Sequence, residues 1–254
     1  MSTSDSAGTP VSPARSPYIG YETWKGWTKP FTFAAEELEY FSGEFTDIPI
    51  AGKRVLEIGF GSGSFLAWAK TAGAVDLAGT EINPVLVQAA RQHGIDVLDA
   101  DLTATATHKC ECFDVVVALD VFEHLKREEV DAGLHAVEAM LRPGGYLVLR
   151  FPNGQSPFGL VPQHGDVTHR TALSRSIIEQ LCHDMPLTVV RYRGSYRIHG
   201  PIGMKRIVRG LRGVARDLLG GVLNAVYACN VPWDSVVVLV LRKEWGRFAG
   251  ACSA

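Results

Sequence analysis

The hydrophobic pattern between residues 53 and 152 alternates short apolar runs with amphipathic segments. Runs rich in β-branched residues, which are typical of buried parallel strands, lie at 54–60, 75–81, 95–101, 113–120 and 145–152. Segments with helical periodicity lie at 62–73, 83–94 and 127–142. In the second of these, Asn83 followed by Pro84 is typical of a helix N-cap and first turn. Strands that alternate with helices predict an α/β fold with a doubly wound, mostly parallel sheet.

The segments on either side of this pattern suggest three regions. Residues 1–17 are rich in Ser, Pro and Ala and lack the apolar core of a signal peptide, so we expect a disordered tail and no export. Residues 18–50 are rich in aromatic side chains and predict a helical lid that packs on the sheet edge, forms a wall of an acceptor pocket, or does both. Residues 51–254 form the main domain, with further strands at 187–196 and 234–243.

An insertion at 197–232 precedes the last strand and is long enough to need its own structure. Its helical periodicity defines an apolar stripe at Met204, Ile207, Val208, Leu211, Ala215, Leu218 and Val222, and a basic stripe at Lys205, Arg209, Arg212 and Arg216. We expect a helix that covers the sheet edge. The alternative is attachment of 204–218 to an anionic membrane surface or a lipid-linked glycan. Four glycines between 210 and 221 weaken the helix prediction.

Composition narrows the function classes. A net charge of −2 gives no overall positive field, so we expect no nucleic-acid partner. The five cysteines are odd in number and lack the spacing of a zinc site, so neither a disulfide framework nor a zinc ribbon is indicated, which fits a cytoplasmic protein. The apolar stretch at 218–241 contains polar residues that a membrane span would tolerate poorly.

Candidate binding residues follow the ends of the predicted strands. Gly59, Gly61 and Gly63 form a GxGxG turn, which differs from the GxGxxG of nicotinamide cofactors, and Glu57 lies just before it. Glu81 ends the second strand and can accept the hydroxyls of a ribose. Either Asp99 or Asp101 ends the third strand, within reach of an adenine amino group. These contacts fit an adenosine without a pyrophosphate.

Residues 53–195 resemble class I S-adenosylmethionine-dependent methyltransferases in the motifs "VLEIGFGSG", "DADL", "FDVVVALDVFEHL" and "LRPGGYLVLRFPN". The resemblance implies a seven-stranded, Rossmann-like methyltransferase sheet. It also implies that S-adenosyl-L-methionine is the cofactor, with Gly59 to Gly63 against its methionine part. The expected cofactor-binding set is Glu57, Gly59, Gly61, Gly63, Glu81, Ile82, Asp101, Leu102 and Asp120. Asp101 is preferred to Asp99 because its distance from the next motif fits the family.

Two clusters of histidines and acids follow the fourth and fifth strands. Candidate catalytic residues are His124 in the first cluster, and His164, Asp166 and His169 in the second. One interpretation makes "DVFEH" only a helix cap beside the cofactor. The other makes a histidine the general base for the acceptor, or joins both clusters in a metal site. His124 and His169 are the first candidates for the base.

The metal hypothesis has its own resemblance. Small-RNA 3′-end methyltransferases and some quinone-pathway O-methyltransferases bind a divalent ion through a similar acid-x-x-Glu-His string. Glu123 and His124 match that string here, and Asp120 stands where glutamate is usual. A later histidine, His164 or His169, would complete a site for Mg²⁺ or Mn²⁺, and His164 is the ligand we assign.

The acceptor is predicted from weaker features. The aromatic segment before the first strand, with "SPFG" and "QHGDVTH" later, resembles methyltransferases of bacterial surface-polysaccharide biosynthesis. We therefore expect O-methylation of a sugar in a nucleotide- or lipid-linked glycan. The alternatives are O- or N-methylation of a small secondary metabolite or quinone-like aromatic, and a non-catalytic module that only binds the cofactor.

Overall fold

The computed structural model describes residues 20–245, so the predicted tail at 1–17 lies outside the described residues. The strands are β1 (Arg54–Ile58), β2 (Asp76–Thr80), β3 (Asp96–Leu98), β4 (Phe113–Leu119), β5 (Leu141–Pro152), β6 (Leu187–Gly194) and β7 (Val236–Lys243). The α-helices are α1 (Tyr21–Trp24), α2 (Ala35–Glu44), α3 (Ser64–Thr71), α4 (Pro84–Gln92), α5 (Leu102–His108), α6 (Arg127–Met140), α7 (Leu160–His164), α8 (Arg175–Leu181) and α9 (Met204–Tyr227).

The strands form one seven-stranded sheet in the order β3-β2-β1-β4-β5-β7-β6. Pairing is parallel from β3 to β5, and β7 runs antiparallel to both β5 and β6. The predicted fold, including a helix inserted before the last strand, is confirmed. Because the chain order reverses between β1 and β4, the sheet has a switch point there, and a ligand crevice is expected beyond the carboxyl ends of these strands.

The structure contains elements that the hydrophobic pattern did not reveal. Helix α5 begins at its cap Asp101, but its sequence LTATATH has no apolar stripe that could have predicted it. Strand β3 is limited to Asp96–Leu98, and β5 begins at Leu141, directly after α6. These differences arise because short or half-exposed elements carry too little periodicity to identify them.

The segment before β1 packs against the sheet through aromatic side chains. Phe45, the C-cap of α2, lies with its ring centroid 5.0 Å from that of Phe65 and 5.4 Å from that of Trp68, both on α3. Glu44, the last residue of α2, is fully buried and forms ion pairs with Arg191 and Arg193 of β6. Burial raises the pKa of the Glu44 carboxyl despite these partners. The interactions tie α2 to the last-but-one strand and hold it beside the cleft.

Helix α9 connects β6 to β7 along the chain. We expected it to cover the edge of the sheet, but none of its residues is buried. Two of its glycines lie on the side that faces the body: the Gly213 carbonyl accepts a hydrogen bond from Arg197, and Gly220 faces the Trp233 ring. The helix therefore tolerates them without loss of its apolar face. No helix between residues 20 and 245 is long and apolar enough to cross a membrane.

Candidate active site

A cleft of about 1320 Å³ opens beyond the carboxyl ends of β1, β2, β4 and β5. Small-ligand pockets usually occupy roughly 300–1,000 Å³. This cleft is larger, so it has room for a cofactor and an acceptor side by side. Its lining includes the glycine turn, Glu81, His124 and His169, together with aromatic rings from the segment before β1.

The glycine turn is fixed by its backbone and by the segment before β1. Gly59, Gly61 and Gly63 all have positive φ angles, of 62°, 51° and 72°. A Cβ on Gly61 would lie 2.8 Å from the Trp27 ring, and one on Gly63 would overlap the Phe31 ring. The sequence explained these glycines by approach of the cofactor alone. The structure adds a second reason, since aromatic side chains of the lid pack directly on the turn.

Glu81 joins the turn to the end of β2. Its carboxylate accepts hydrogen bonds from the backbone N–H groups of Gly61 at 3.0 Å, Ile82 at 2.7 Å and Asn83 at 2.9 Å. A carboxylate offers about four acceptor positions, so these bonds leave little unused capacity. A ribose hydroxyl bound here would share the carboxylate with the backbone of the turn.

The structure distinguishes the two aspartates that follow β3. Asp101 lines the cleft with Leu102, and its Oδ1 caps α5 by accepting the N–H groups of Thr103 at 2.9 Å and Ala104 at 3.1 Å. Asp99 is not among the lining residues and accepts the Asp101 N–H at 2.9 Å. Of the two, Asp101 is therefore the one that lines the cleft, and its contact with an adenine stays a prediction.

Glu57 lies on β1 directly before the glycine turn and faces the cleft. Its Oε2 is buried without a hydrogen-bond partner among residues 20–245. Burial raises the pKa of Glu57 well above its usual value, although Arg150 acts in the opposite direction. A buried carboxyl with an unsatisfied oxygen is costly unless a ligand completes it. This observation supports the predicted place of Glu57 in a binding site.

Asp120 is held by a residue that the sequence analysis missed. Arg150, near the end of β5, donates through Nε and Nη2 to both carboxylate oxygens of Asp120, with the Nε bond at 3.0 Å. Burial disfavours the Arg150 cation, but Asp120 and Tyr40 together outweigh burial, and the pKa of Arg150 is raised well above its usual value. The guanidinium also lies 5.3 Å from the ring centre of Tyr40. The signal in the sequence that could have identified Arg150 was an arginine inside the apolar run of β5.

His124 belongs to a hydrogen-bonded chain at the floor of the cleft. Its Nδ1 lies 2.8 Å from Thr168 Oγ1, whose hydroxyl donates to Asp166 Oδ1. Because the Thr168 hydroxyl donates its proton to Asp166, it can only accept from His124. We therefore assign a proton to Nδ1 of His124, which donates it to Thr168 Oγ1, and the imidazole lone pair is on Nε2. Burial, and then His169, lower the pKa of His124, so the ring is neutral at pH 7.

His169 lies against His124, with ring centroids 4.6 Å apart. Its Nδ1 is 3.1 Å from the carbonyl oxygen of Gln163, which only accepts, so its lone pair is also on Nε2. Glu123 is fully buried, and neither of its carboxylate oxygens has a hydrogen-bond partner in the described part of the chain. Burial, and then Asp120, raise the pKa of Glu123 well above its usual value.

These three side chains form a candidate metal centre. Ligand atoms of Glu123, His124 and His169 all lie within 4.8 Å of one another. Each imidazole donates its other N–H to an oxygen, as histidines bound to metals usually do. The assignment of His164 as the third ligand is wrong, because His164 ends α7 as an exposed residue and does not line the cleft. Because His164 does not line the cleft, it is also a weaker candidate for a catalytic residue.

The remaining predicted catalytic residue, Asp166, orients the chain of hydrogen bonds to His124. Asp166 Oδ1 accepts from both the backbone N–H and the hydroxyl of Thr168. Its other oxygen lies 3.9 Å from Lys25 Nζ, on the segment before β1. Thr168 had no signal in the sequence, because a threonine in a loop is common. The ion pair of Asp166 with Lys25 joins the segment before β1 to the loop after β5.

Comparison with known proteins identifies related domains. Residues 27–192 match a family model described as a methyltransferase domain. No curated protein matches the chain in sequence at a significant level.

Solved structures share the fold at low sequence identity. A SAM-dependent methyltransferase from Archaeoglobus fulgidus is 16% identical, with a TM-score of 0.61, over 90% of this chain and 100% of that one. Magnesium protoporphyrin IX methyltransferase from Synechocystis, with bound SAH, is 15% identical, with a TM-score of 0.54, over 89% and 95%. The [4+2]-cyclase SpnF is 18% identical, with a TM-score of 0.55, over 84% and 82%.

Proposed function

This chain belongs to the methyltransferase domain family, and we propose that it transfers the methyl group of S-adenosylmethionine to a sugar hydroxyl in a nucleotide- or lipid-linked glycan. The family and the fold confirm the predicted methyltransferase class and cofactor. The acceptor is our proposal. The observation that carries it is the chain His124–Thr168–Asp166, since a proton acceptor beside the cofactor cleft is what a hydroxyl acceptor requires.

The reaction needs alignment and removal of one proton. The acceptor oxygen forms a bond to the methyl carbon while the bond from that carbon to sulfur breaks, which leaves a neutral thioether. The hydroxyl proton passes to Nε2 of His124, whose Nδ1–H is already held by Thr168. Asp166 then stabilises the imidazolium through the threonine hydroxyl. A positioned base of this kind contributes roughly 10²–10⁴-fold, and alignment of the reactants contributes the rest.

A divalent ion fits the same place. Glu123, His124 and His169 would hold it, since two imidazoles whose Nδ1 atoms face oxygens and a buried carboxyl without a hydrogen-bond partner in the described part of the chain form a suitable donor set. When bound, such an ion lowers the pKa of a coordinated hydroxyl. The metal hypothesis and the base hypothesis both predict an essential His124, and they differ in their response to a chelator.

The lining of the cleft supports a polar acceptor with apolar faces. Trp24, Trp27 and Tyr196 provide aromatic surfaces to the lining, and Lys25 and Glu37 add charged groups to it. Sugars combine hydroxyl groups with apolar C–H faces, so this mixture suits them. The same rings also favour the second candidate, a small metabolite or quinone-like aromatic. A further alternative is a module that binds the cofactor without transferring its methyl group.

A radiolabelled methyl-transfer assay on glycan and small-molecule acceptor pools tests the proposal. The variants His124→Ala and His169→Ala should lose turnover while they keep cofactor affinity. His164→Ala is the matched control, because this exposed histidine of the same loop region should leave turnover unchanged.

If His124 is the base, its loss of turnover should shrink as pH rises, and a chelator should have no effect. If the cluster binds metal, chelation should abolish activity and Mg²⁺ or Mn²⁺ should restore it. Full activity of both cleft variants with chelator present would refute the proposed chemistry. Transfer to an aromatic acceptor alone would favour the second candidate, and cofactor binding without transfer to any pool would favour the non-catalytic module.

A further inference from the structure

Helix α9 presents an apolar face to the outside of the molecule. At 100° per residue, the apolar side chains fall within one arc, which we call the apolar face: Met204, Ile207, Val208, Leu211, Val214, Ala215, Leu218, Leu219, Val222, Ala225 and Val226. Leu211 is 65% exposed and Leu218 is 68% exposed. An amphipathic helix of 24 residues normally buries such a face, and here no residue of the helix is buried.

The opposite side of α9 makes the contacts with the body. Arg197 donates to the Gly213 carbonyl and pairs with Asp217 at 2.8 Å. Near the end of the helix, Trp233 Nε1 donates to Asn224 Oδ1 at 2.9 Å. On a helical wheel, Gly213, Asp217 and Asn224 lie opposite the apolar face. The polar contacts therefore hold α9 with its apolar face directed away from the body.

Basic side chains border the apolar face. Lys205, Arg212 and Arg216 are exposed and lie along one edge of it; we call them the basic rim. None of the three forms an ion pair with another residue in the range 20–245. The helix has five basic residues and one acidic residue, Asp217, which is already paired with Arg197. The chain as a whole carries −2, so this positive charge is a local feature.

We propose that α9 lies in the surface of an anionic phospholipid bilayer, with its apolar face among the acyl chains and the basic rim at the headgroups. This arrangement is typical of interfacial amphipathic helices, which combine an apolar face with Lys and Arg on the polar side. The positive charge of the basic rim distinguishes between two possible partners of the apolar face, a lipid bilayer and a second copy of the chain. Two copies of α9 face to face would bring like charges together, whereas anionic lipids complement the rim.

The inference goes beyond the proposed function and connects to it. Arg209 pairs with Glu36 at 3.2 Å, and Glu36 lines the cleft. The first half of α9 is therefore attached to a wall of the active-site cleft. A bilayer bound to α9 would therefore lie next to that wall of the cleft, which favours a lipid-linked acceptor over a freely diffusing one. Membrane binding itself does not depend on the identity of the acceptor, so the two proposals can fail separately.

Flotation of the full chain with vesicles tests the inference. Wild type should float with phosphatidylcholine vesicles that contain phosphatidylglycerol, and much less with phosphatidylcholine alone. Lys205→Gln/Arg212→Gln/Arg216→Gln should lower the partition coefficient roughly a hundredfold, because each basic residue contributes about a factor of five near an anionic surface. Leu211→Ser/Leu218→Ser should abolish binding at any lipid composition, and its unfolding temperature should equal that of wild type because neither side chain is buried.

The triple variant Lys70→Gln/Arg91→Gln/Arg127→Gln is the matched control. It removes the same charge from exposed positions on other helices and should float like wild type. Failure of wild type to float with anionic vesicles would overturn the inference. So would light scattering that shows a dimer which Leu211→Ser/Leu218→Ser converts to a monomer, since a second copy would then cover the face.

Discussion

Replacement of Glu81 tests the cofactor site most directly. In Glu81→Ala, the N–H groups of Gly61, Ile82 and Asn83 all lose their shared acceptor, and a bound ribose loses its carboxylate. One hydrogen bond to a charged group contributes about 1.5–3 kcal/mol. Loss of the ribose contact alone should therefore raise the dissociation constant of S-adenosylhomocysteine roughly 10- to 150-fold.

The loss of the three backbone bonds adds a separate effect on the unliganded protein. These N–H groups lie at a partly exposed turn where water can replace the carboxylate, so we expect a cost near ~1 kcal/mol, or a decrease of about 2–4 °C in unfolding temperature. Glu81→Gln keeps one acceptor oxygen and should fall between wild type and Glu81→Ala in both measurements.

Calorimetric titration measures the affinity, and thermal unfolding without ligand measures the stability. The two readouts separate a ribose contact from a purely structural carboxylate. A lowered unfolding temperature with unchanged affinity in Glu81→Ala would show that Glu81 only holds the turn. That result would refute the assigned role of Glu81 in binding the cofactor.

Three further variants address the same side of the cleft. Asp101→Ala should weaken cofactor binding about tenfold or more, since it removes a charge-assisted contact, whereas Asp99→Ala should retain affinity in the same titration. Glu57→Gln should unfold at a higher temperature than wild type at pH 8, and the difference should shrink toward pH 4. Because the pKa of Glu57 is raised in the folded state, the folded protein binds the proton more tightly than the unfolded chain, and wild type loses stability as pH rises above the pKa of Glu57 in the unfolded chain. A difference in unfolding temperature that stays constant with pH would argue against this. Gly63→Ala should cost roughly 1–3 kcal/mol of folding free energy from backbone strain, and more because the new Cβ would overlap the Phe31 ring. Gly94→Ala is the control, since Gly94 has a similar φ but open space around it. If Gly63→Ala loses no more stability than Gly94→Ala, the packing contribution is excluded.

The alternation of strands and helices predicted the sheet, because each buried parallel strand leaves a continuous apolar run. Positions at strand ends were also predictable, since parallel strands bring their carboxyl ends to one edge. Glu81 and Asp101 line the cleft for that reason. By contrast, α5 escaped prediction because its threonines and alanines show no periodicity.

The histidine cluster shows where sequence spacing stops being informative. His164 and His169 are five residues apart, and nothing in this spacing indicates that His164 ends α7 while His169 turns toward His124. The structure decides it through a backbone contact, because the His169 Nδ1–H donates to the Gln163 carbonyl. The Asp120–Arg150 pair was equally hidden, since its partners are separated by 30 residues.

Amphipathicity alone misled the prediction for α9. The pattern identified both faces correctly, but an apolar stripe was assumed to face the core. Contacts such as Arg197 with Asp217 reverse the orientation by holding the polar side to the body. Which side faces the body depends on partners outside the helix, so the helical sequence could not reveal it.

The two buried carboxyls connect the electrostatics of the cleft to its ligands. Burial raises the pKa of both Glu57 and Glu123, so the ligand-free cleft favours their neutral forms. A cation bound beside either carboxyl lowers its pKa and favours the charged form. The cofactor carries a positive sulfonium before transfer and a neutral thioether afterwards. If the sulfonium binds beside either carboxyl, we therefore expect binding of the reactive cofactor to release a proton from that group, and methyl transfer, which removes the positive charge, to weaken the hold on the product.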